Sequence, residues 1–257
     1  MIKKKLSIVL ATLVLSVGSA YAETVATAGG AWAVDGTIAG TPHDLSGTVA
    51  GDNGEICVYC HTPHAANTAF DGAPLWNKKT MADTTSFQMY GATATNTAGS
   101  TIAGTATSQT PESPSLACLS CHDGVSAIDS IVNAPGSGMG SLIDGTPTTI
   151  TANTTDVDNG NIGQDLTNDH PVSIVYTEGT ASLRLKTTTL NTITGGGDWV
   201  GASTVGDLLR GPGKDMVECG SCHDPHNGYA SDQGGTQVNY LRRTNAGSQL
   251  CLGCHAK

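Results

Sequence analysis

Apolar residues form one continuous run, and it stands at the start of the chain. Lysines at positions 3–5 precede an apolar stretch over 6–17, and an A-x-A site ends at Ala22. A positive segment, a short apolar segment and small residues before a cleavage point are typical of a secretory signal peptide. The pattern predicts a signal peptide over 1–22 and an exported mature chain over 23–257, with no span long enough for a membrane.

The rest of the chain shows little regular alternation of apolar and polar positions. Segments 91–110 and 144–205 are rich in Thr, Gly and Asn, which favours loops with a few short strands, such as 172–176. A helix is predicted after Ser113 as cap and Pro114 as first residue, with Asp123-Gly124 as its stop. Another short helix is predicted over 245–255. The expected fold is mostly irregular, with a few short helices and strands.

The cysteines determine the candidate chemistry, because all eight lie in four copies of C-x-x-C-H. This is the attachment motif of c-type haem, in which two thiols bind the porphyrin and the histidine binds iron. The sequence therefore predicts four covalently attached haem c groups. The four motifs, numbered in chain order, are Cys57 and Cys60 with His61, Cys118 and Cys121 with His122, Cys219 and Cys222 with His223, and Cys251 and Cys254 with His255.

Disulfides, zinc ligands and redox dithiols are alternative uses of a C-x-x-C pair in an exported protein. These alternatives do not explain why a histidine follows every pair, or why no cysteine lies outside the pairs. Haem also suits the composition, since aromatic residues are only 4% of the chain and just two are phenylalanine. We expect the porphyrins to form the core, and folding to depend on their attachment.

The histidine count predicts the second ligand of each iron. Of eight histidines, four belong to the motifs, and the others are His43, His64, His170 and His226. Eight imidazoles would supply both faces of four irons, so we predict bis-histidine ligation. Methionine is the rival axial ligand, but nothing around the available methionines favours it.

Two of these histidines stand in a repeated C-H-x-P-H arrangement. His64 and His226 each follow a motif histidine by three residues, across a proline. Axial ligands approach iron from opposite faces, so each should ligate a neighbouring haem rather than its own. His43 and His170 lie in polar, turn-rich segments beside prolines, where a surface role is the alternative.

The same series of features occurs twice along the chain. Residues 43–122 contain a lone histidine, a C-H-x-P-H motif and a plain motif, and residues 170–255 repeat that order. We predict two tandem dihaem modules within one tetrahaem domain. Bis-histidine irons leave no open position for a substrate, which favours electron transfer over catalysis. The formal charge of −10 argues against nucleic acid as a partner.

Three stretches carry a family resemblance: Cys57 to His64, Cys118 to Gly124, and His170-Pro171-Val172-Ser173. They resemble exported multihaem cytochromes with doubled C-x-x-C-H motifs, and the haem number, size and loop-rich composition are similar to those of OmcE-type extracellular tetrahaem cytochromes. That resemblance implies an extracellular or cell-surface filament with a continuous haem chain. It also implies that an N-terminal histidine, here His43 by position, ligates a haem of the next copy.

The expected partners are other copies of the chain, redox partner cytochromes and extracellular electron acceptors. A soluble periplasmic electron shuttle is one alternative. A multihaem reductase is another, if His43 or His170 is not a ligand and one iron stays open. A structural filament that merely contains haem is the third.

Overall fold

The computed structural model describes residues 38–39, 41–47, 54–79, 86–90, 108, 110–134, 148–150, 160–193, 199–227 and 240–256. Regular structure within these ranges is short. The α-helices are α1 (Ser115–His122), α2 (Val205–Leu208), α3 (Cys219–Cys222) and α4 (Gln249–Cys254), the strands are β1 (Ile174–Val175) and β2 (Met216–Val217), and 3₁₀ turns span Cys57–Tyr59, Leu190–Thr192 and Ala246–Ser248.

This architecture confirms the prediction of a mostly irregular chain with a few short helices and strands. The haem core stays a prediction, as does the division into modules 43–122 and 170–255. The signal peptide predicted over 1–22 lies outside the described residues. No helix in the described ranges combines the length and the apolar character needed to cross a membrane.

The two strands form a small antiparallel sheet that positions the third motif. Ile174 of β1 pairs with Val217 of β2, within the predicted strand region 172–176. The pairing extends on one side, where the Ser173 N–H donates to the Val217 carbonyl at 2.8 Å. Because only Glu218 separates β2 from α3, the sheet determines where the third pair of cysteines begins.

Helix α1 carries the second motif, as predicted, but its start differs from the expectation. Pro114 stands just outside the helix with φ −90° and ψ 2°, so the first helical residue is Ser115. The Ser113 hydroxyl is buried without a hydrogen-bond partner, and the prediction that it caps the helix was wrong. The predicted stop is confirmed: Gly124 has a left-handed φ of 72°, which an L side chain tolerates poorly.

The helix predicted over 245–255 is shorter than expected. Gly247 and Ser248 have left-handed φ values of 60° and 61°, which separate a 3₁₀ turn from α4. A left-handed residue breaks the i to i−4 hydrogen bonding of an α-helix, so only the last turns before His255 are helical.

Apolar side chains in the described ranges pack in separate small clusters. One cluster contains Tyr176, Leu190, Ile193, Val205, Leu208 and Leu209; a second contains Val58, Tyr59 and Ile131; a third contains Phe87, Met89, Leu119 and Leu166. Each cluster contains or contacts a residue of a C-x-x-C-H motif: Cys254 of the fourth motif packs against the first cluster, and Val58 and Leu119 lie within the first and second motifs. The apolar side chains of the described residues therefore pack beside the motifs in separate groups.

Asn77 is the polar centre of the first-motif region and is fully buried. Its amide nitrogen donates to the carbonyls of Val58 at 2.6 Å and Asn133 at 3.0 Å. Its amide oxygen accepts from the Asn133 N–H at 2.9 Å. The neighbouring Lys78 ammonium is also buried and donates to two carbonyls, those of Ala127 and Ile128. These bonds join the first motif to the loop that follows the second.

We predict that Asn77→Ala lowers the free energy of unfolding by about 2–4 kcal/mol, since three backbone groups lose their partner inside the protein. Urea unfolding of the purified protein measures the change. Val125→Ala, at a side chain that is 63% exposed, is the control and should shift the midpoint little. Equal midpoints for both variants would contradict a structural role for Asn77.

Candidate functional site

Every C-x-x-C-H motif places its two cysteines on one short helical segment. The first motif begins in the 3₁₀ turn Cys57–Tyr59, and the second, third and fourth lie on α1, α3 and α4. Residues three apart on a helix point to the same side. All eight cysteines are free of disulfide bonds. Each pair is thus presented as two adjacent thiols, the arrangement that thioether attachment of one porphyrin requires.

The motif histidines follow these helical segments and are anchored by the backbone. His61, His223 and His255 form single antiparallel bridges with Trp76, Leu241 and Leu183, respectively. His122 differs, because it is the last residue of α1. Its carbonyl accepts from the Ile162 N–H at 3.0 Å, so the backbone of all four motif histidines is held by another segment of the chain.

Hydrogen bonds at Nδ1 determine which ring nitrogen of two motif histidines is available. The His61 Nδ1 lies 2.8 Å from the Pro74 carbonyl oxygen, and the His122 Nδ1 is bonded to the Gly160 carbonyl. A carbonyl only accepts, so Nδ1 carries the proton and donates. In the neutral ring, Nε2 then has a free lone pair, and this is the arrangement found for metal-binding histidines.

Two distal histidines show the same arrangement. The His43 Nδ1 lies 3.2 Å from the Pro225 carbonyl oxygen, and the His170 Nδ1 lies 2.9 Å from that of Pro171. Burial lowers the pKa of His43 to about 4, with the Pro225 hydrogen bond opposing the shift. The His43 ring is therefore neutral near pH 7. In both distal rings, as in the two motif rings, Nδ1 is bonded to a carbonyl and Nε2 is the nitrogen left to bind a metal.

Six of the histidine rings lie close together in three pairs. The ring centres of His43 and His122 are 6.1 Å apart, and those of His61 and His226 are 5.9 Å apart. In a third pair, the ring centres of His170 and His255 lie 6.4 Å apart. Each pair combines one motif histidine with one distal histidine. Within the described ranges, no group of three or more His, Cys, Asp and Glu side chains could hold a metal ion.

These distances fit a haem iron between the two rings. An imidazole nitrogen lies about 2 Å from a bound metal, and the ring centre about 1 Å behind it. Two axial imidazoles on opposite sides of one iron thus have centres about 6 Å apart. All three measured separations agree with that value. The angle between the ring planes, from 18° to 67°, is not restricted by axial ligation.

The backbone of His64 is held by two hydrogen bonds. Asn133 Nδ2 donates to the His64 carbonyl at 2.8 Å, and Thr62 Oγ1 donates to it at 3.1 Å. These bonds hold the backbone of the first C-H-x-P-H segment in place. The ligand roles predicted for His64 and for the other seven histidines stay predictions.

Consecutive motifs lie close enough for their thiols to interact. Burial raises the pKa of Cys60 to about 12, and the nearby Cys121 contributes. A hydrogen bond between the side chains of Cys118 and Cys219 raises the pKa of Cys118 and lowers that of Cys219. Burial raises the pKa of Cys222 to about 11, and the nearby thiols of Cys219 and Cys251 also contribute. Each motif therefore lies close in space to the next motif along the chain.

A buried carboxyl joins the second and third motifs. Glu218 accepts hydrogen bonds from the hydroxyls of Ser115 and Ser173, and its Oε1 has no partner. Ser115 also accepts from the Cys219 N–H at 2.9 Å. Ser115 is the first residue of α1, so the two cysteine-bearing helices meet at this point.

Sequence reasoning identified the histidines but not the residues that orient them. The carbonyls of Pro74, Gly160, Pro171 and Pro225 carry no signature in the sequence, because every residue has a carbonyl. Tyr240, which stacks on His43 at 4.2 Å between ring centres, was also missed. Gly160 has a left-handed φ of 73°, so a glycine in a polar loop was the one available indication.

Comparison with known protein families supports the chemistry inferred from the motifs. A family model described as the doubled CXXCH motif matches residues 211–257, which include the third and fourth motifs. No curated protein matches the chain. The match supports a multihaem c-type cytochrome with covalently bound haem and a role in electron transfer.

Glu218 should make stability depend on pH. Burial raises its pKa from the ordinary 4.5 to about 7, against the hydrogen bonds from Ser115 and Ser173. The folded chain holds this proton to a higher pH than the unfolded chain does. Its stabilising contribution is complete below about pH 4.5 and is lost as the pH rises through about 7.

We predict that Glu218→Gln flattens the dependence of the urea midpoint on pH across that interval. Glu178→Gln is the control, since Glu178 is exposed and lies in the same half of the chain. An unchanged slope in Glu218→Gln would contradict the assignment.

Gly160 should be required for the orientation of His122. A Cβ at Gly160 would lie 3.1 Å from Cε1 and Nδ1 of that ring. Gly163 is a matched control, because its φ of 71° imposes the same strain while nothing lies within 4 Å of a Cβ there. Both Gly→Ala variants should lose about 1–2 kcal/mol of stability. Only Gly160→Ala should alter the electron paramagnetic resonance spectrum of the ferric haems. Identical spectra for the two variants would refute the contact.

Proposed function

We propose that this chain is an exported tetrahaem c-type cytochrome that moves electrons through four bis-histidine haems. The observation that carries the proposal is the set of facing imidazoles: three motif histidines each have a distal histidine at about the separation of two axial ligands. The other two of the eight histidines are His64 and His223, and we assign both to the iron of the haem attached at the third motif.

The chain's own residues would hold the haems and fill their axial positions. Eight thiols would form the thioether links, and eight imidazoles would bind the irons. In four of these rings, those of His43, His61, His122 and His170, the bond at Nδ1 leaves Nε2 for this role. Haem iron, when bound, changes between the ferrous and ferric states and so takes up and releases one electron. The carbonyls bonded to Nδ1 hold the rings in one orientation in either state, which limits the rearrangement that accompanies electron transfer.

The proximity of consecutive motifs supports conduction along the molecule. The side chains of Cys118 and Cys219 are hydrogen-bonded, and Cys60 lies near enough to Cys121, and Cys222 to Cys251, for a charge on one thiol to affect the pKa of the other. Because each porphyrin is attached at its cysteines, neighbouring cysteines bring neighbouring haem edges close together. Apolar side chains of the described residues pack only in small, separate clusters, and the porphyrins are proposed as the core.

Export, an extracellular location and filament assembly rest on the sequence and on the family resemblance. The proposed partners are redox cytochromes, extracellular electron acceptors and further copies of the chain. A soluble periplasmic shuttle would use the same haem sites. A reductase would differ at one point, since it needs an iron with an open axial position.

We predict four haems in the intact protein, all with six-coordinate, low-spin iron. Mass spectrometry of the denatured protein counts the attached haems. Replacing both cysteines of any one motif by alanine should remove one haem and leave the rest. Fewer than four haems in the wild type would contradict the proposal.

Carbon monoxide on the reduced protein and cyanide on the oxidised protein distinguish carrier from reductase. We expect neither to change the absorption spectrum, because no axial position is open. Binding of either ligand to one haem of the native protein would favour the reductase.

A further inference from the structure

The His43 segment (residues 41–47) precedes the first motif in sequence but contacts the second half of the chain (170–255). The His43 N–H donates to the Tyr240 hydroxyl oxygen at 3.0 Å. The two rings stack with centres 4.2 Å apart and planes 10° from parallel. The His43 Nδ1 donates to the Pro225 carbonyl at 3.2 Å. Backbone, ring face and ring nitrogen of His43 are thus all held by second-half residues.

The ring held in this way faces a histidine of the first half. The centres of His43 and His122 are 6.1 Å apart, and the planes meet at 64°. Nδ1 of each ring is bonded to a carbonyl, which leaves Nε2 of each ring to bind iron. His122 belongs to the second motif, so the iron between the rings would be that of the haem attached to Cys118 and Cys121.

We propose that His43 ligates the second-motif haem of its own chain, and that Tyr240 is the residue that positions it. The proposal rests on the function proposed above, and it adds which histidine supplies the second axial ligand of this haem. It differs from the expectation implied by the family resemblance, in which His43 ligates a haem of the next copy. An iron with both axial ligands from its own chain needs no histidine from a neighbouring copy.

A second observation extends the inference to the first-motif haem. His226 faces His61 at 5.9 Å, and it directly follows Pro225, whose carbonyl holds His43. Asp224 stabilises this segment: it accepts from the His226 N–H at 3.1 Å and forms an ion pair with Arg242 at 3.1 Å. Residues 224–226 therefore influence the distal ligands of both first-half haems.

The first experiment measures the wild-type protein at decreasing concentration. Resonance Raman spectroscopy reports the coordination of the haems, and size-exclusion chromatography reports assembly. We expect single chains to keep four six-coordinate haems at every concentration. Single chains with one five-coordinate haem that disappears on concentration would overturn ligation within the chain. A protein with fewer than four haems would instead refute the proposed function, so the two failures are distinguishable.

The second experiment uses His43→Ala, with His170→Ala as the matched control. Each variant should keep four attached haems, open one iron to carbon monoxide and leave the assembly state of the wild type unchanged. The double variant should open two irons, since the two histidines face different motif histidines. Dissociation of wild-type polymers into single chains by His43→Ala would overturn the proposal. So would a double variant with only one open iron.

The third experiment tests Tyr240 as a positioning residue. Tyr240→Phe keeps the ring that stacks on His43 and removes the hydroxyl, whereas Tyr240→Leu removes both. We expect Tyr240→Leu to shift the electron paramagnetic resonance signal and the midpoint potential of one haem. Tyr240→Phe should keep most of the wild-type value of each. If Tyr240→Leu lowers stability but leaves all four haem signals unchanged, Tyr240 has a structural role only. That result would overturn its assignment as the residue that positions His43.

Discussion

The hydrogen bond from imidazole Nδ1 to a backbone carbonyl is the interaction on which the proposed haem sites depend. A carbonyl cannot donate, so each such bond places a proton on Nδ1 and leaves Nε2 as the nitrogen that can bind a metal. It also fixes the plane of the ring. His43, His61, His122 and His170 are all held in this way. In the pair His43 and His122, both rings are held, so the protein itself orders both sides of the proposed iron site.

The scarcity of regular structure is consistent with that requirement. In a helix or a sheet the carbonyls are already bonded to backbone N–H groups, whereas loops leave carbonyls available. Three of the four acceptor carbonyls belong to Pro74, Pro171 and Pro225, and the fourth to Gly160. Three of the four α-helices in the described ranges, α1, α3 and α4, carry a motif and point its two thiols to the same side.

The two halves of the sequence repeat meet at the sites themselves. Glu218 and Ser115 join the third motif to the second, and Cys118 interacts with Cys219. His226 faces His61, and the carbonyl of Pro225 holds His43. These contacts join residues of one half to residues of the other, so the arrangement of the proposed haem sites depends on the whole chain.

The sequence by itself predicted the haem attachment sites and the balance of eight histidines, because C-x-x-C-H spacing is a local property. It also predicted the sparse structure and the stop of α1 at Gly124, since turn residues act on their neighbours. It missed the break at Gly247 and Ser248 and the start of α1. Only the tertiary structure decided that His43 faces His122 and His61 faces His226. Those rings are far apart in sequence, and the carbonyls and the Tyr240 ring that orient them act only once the chain has folded.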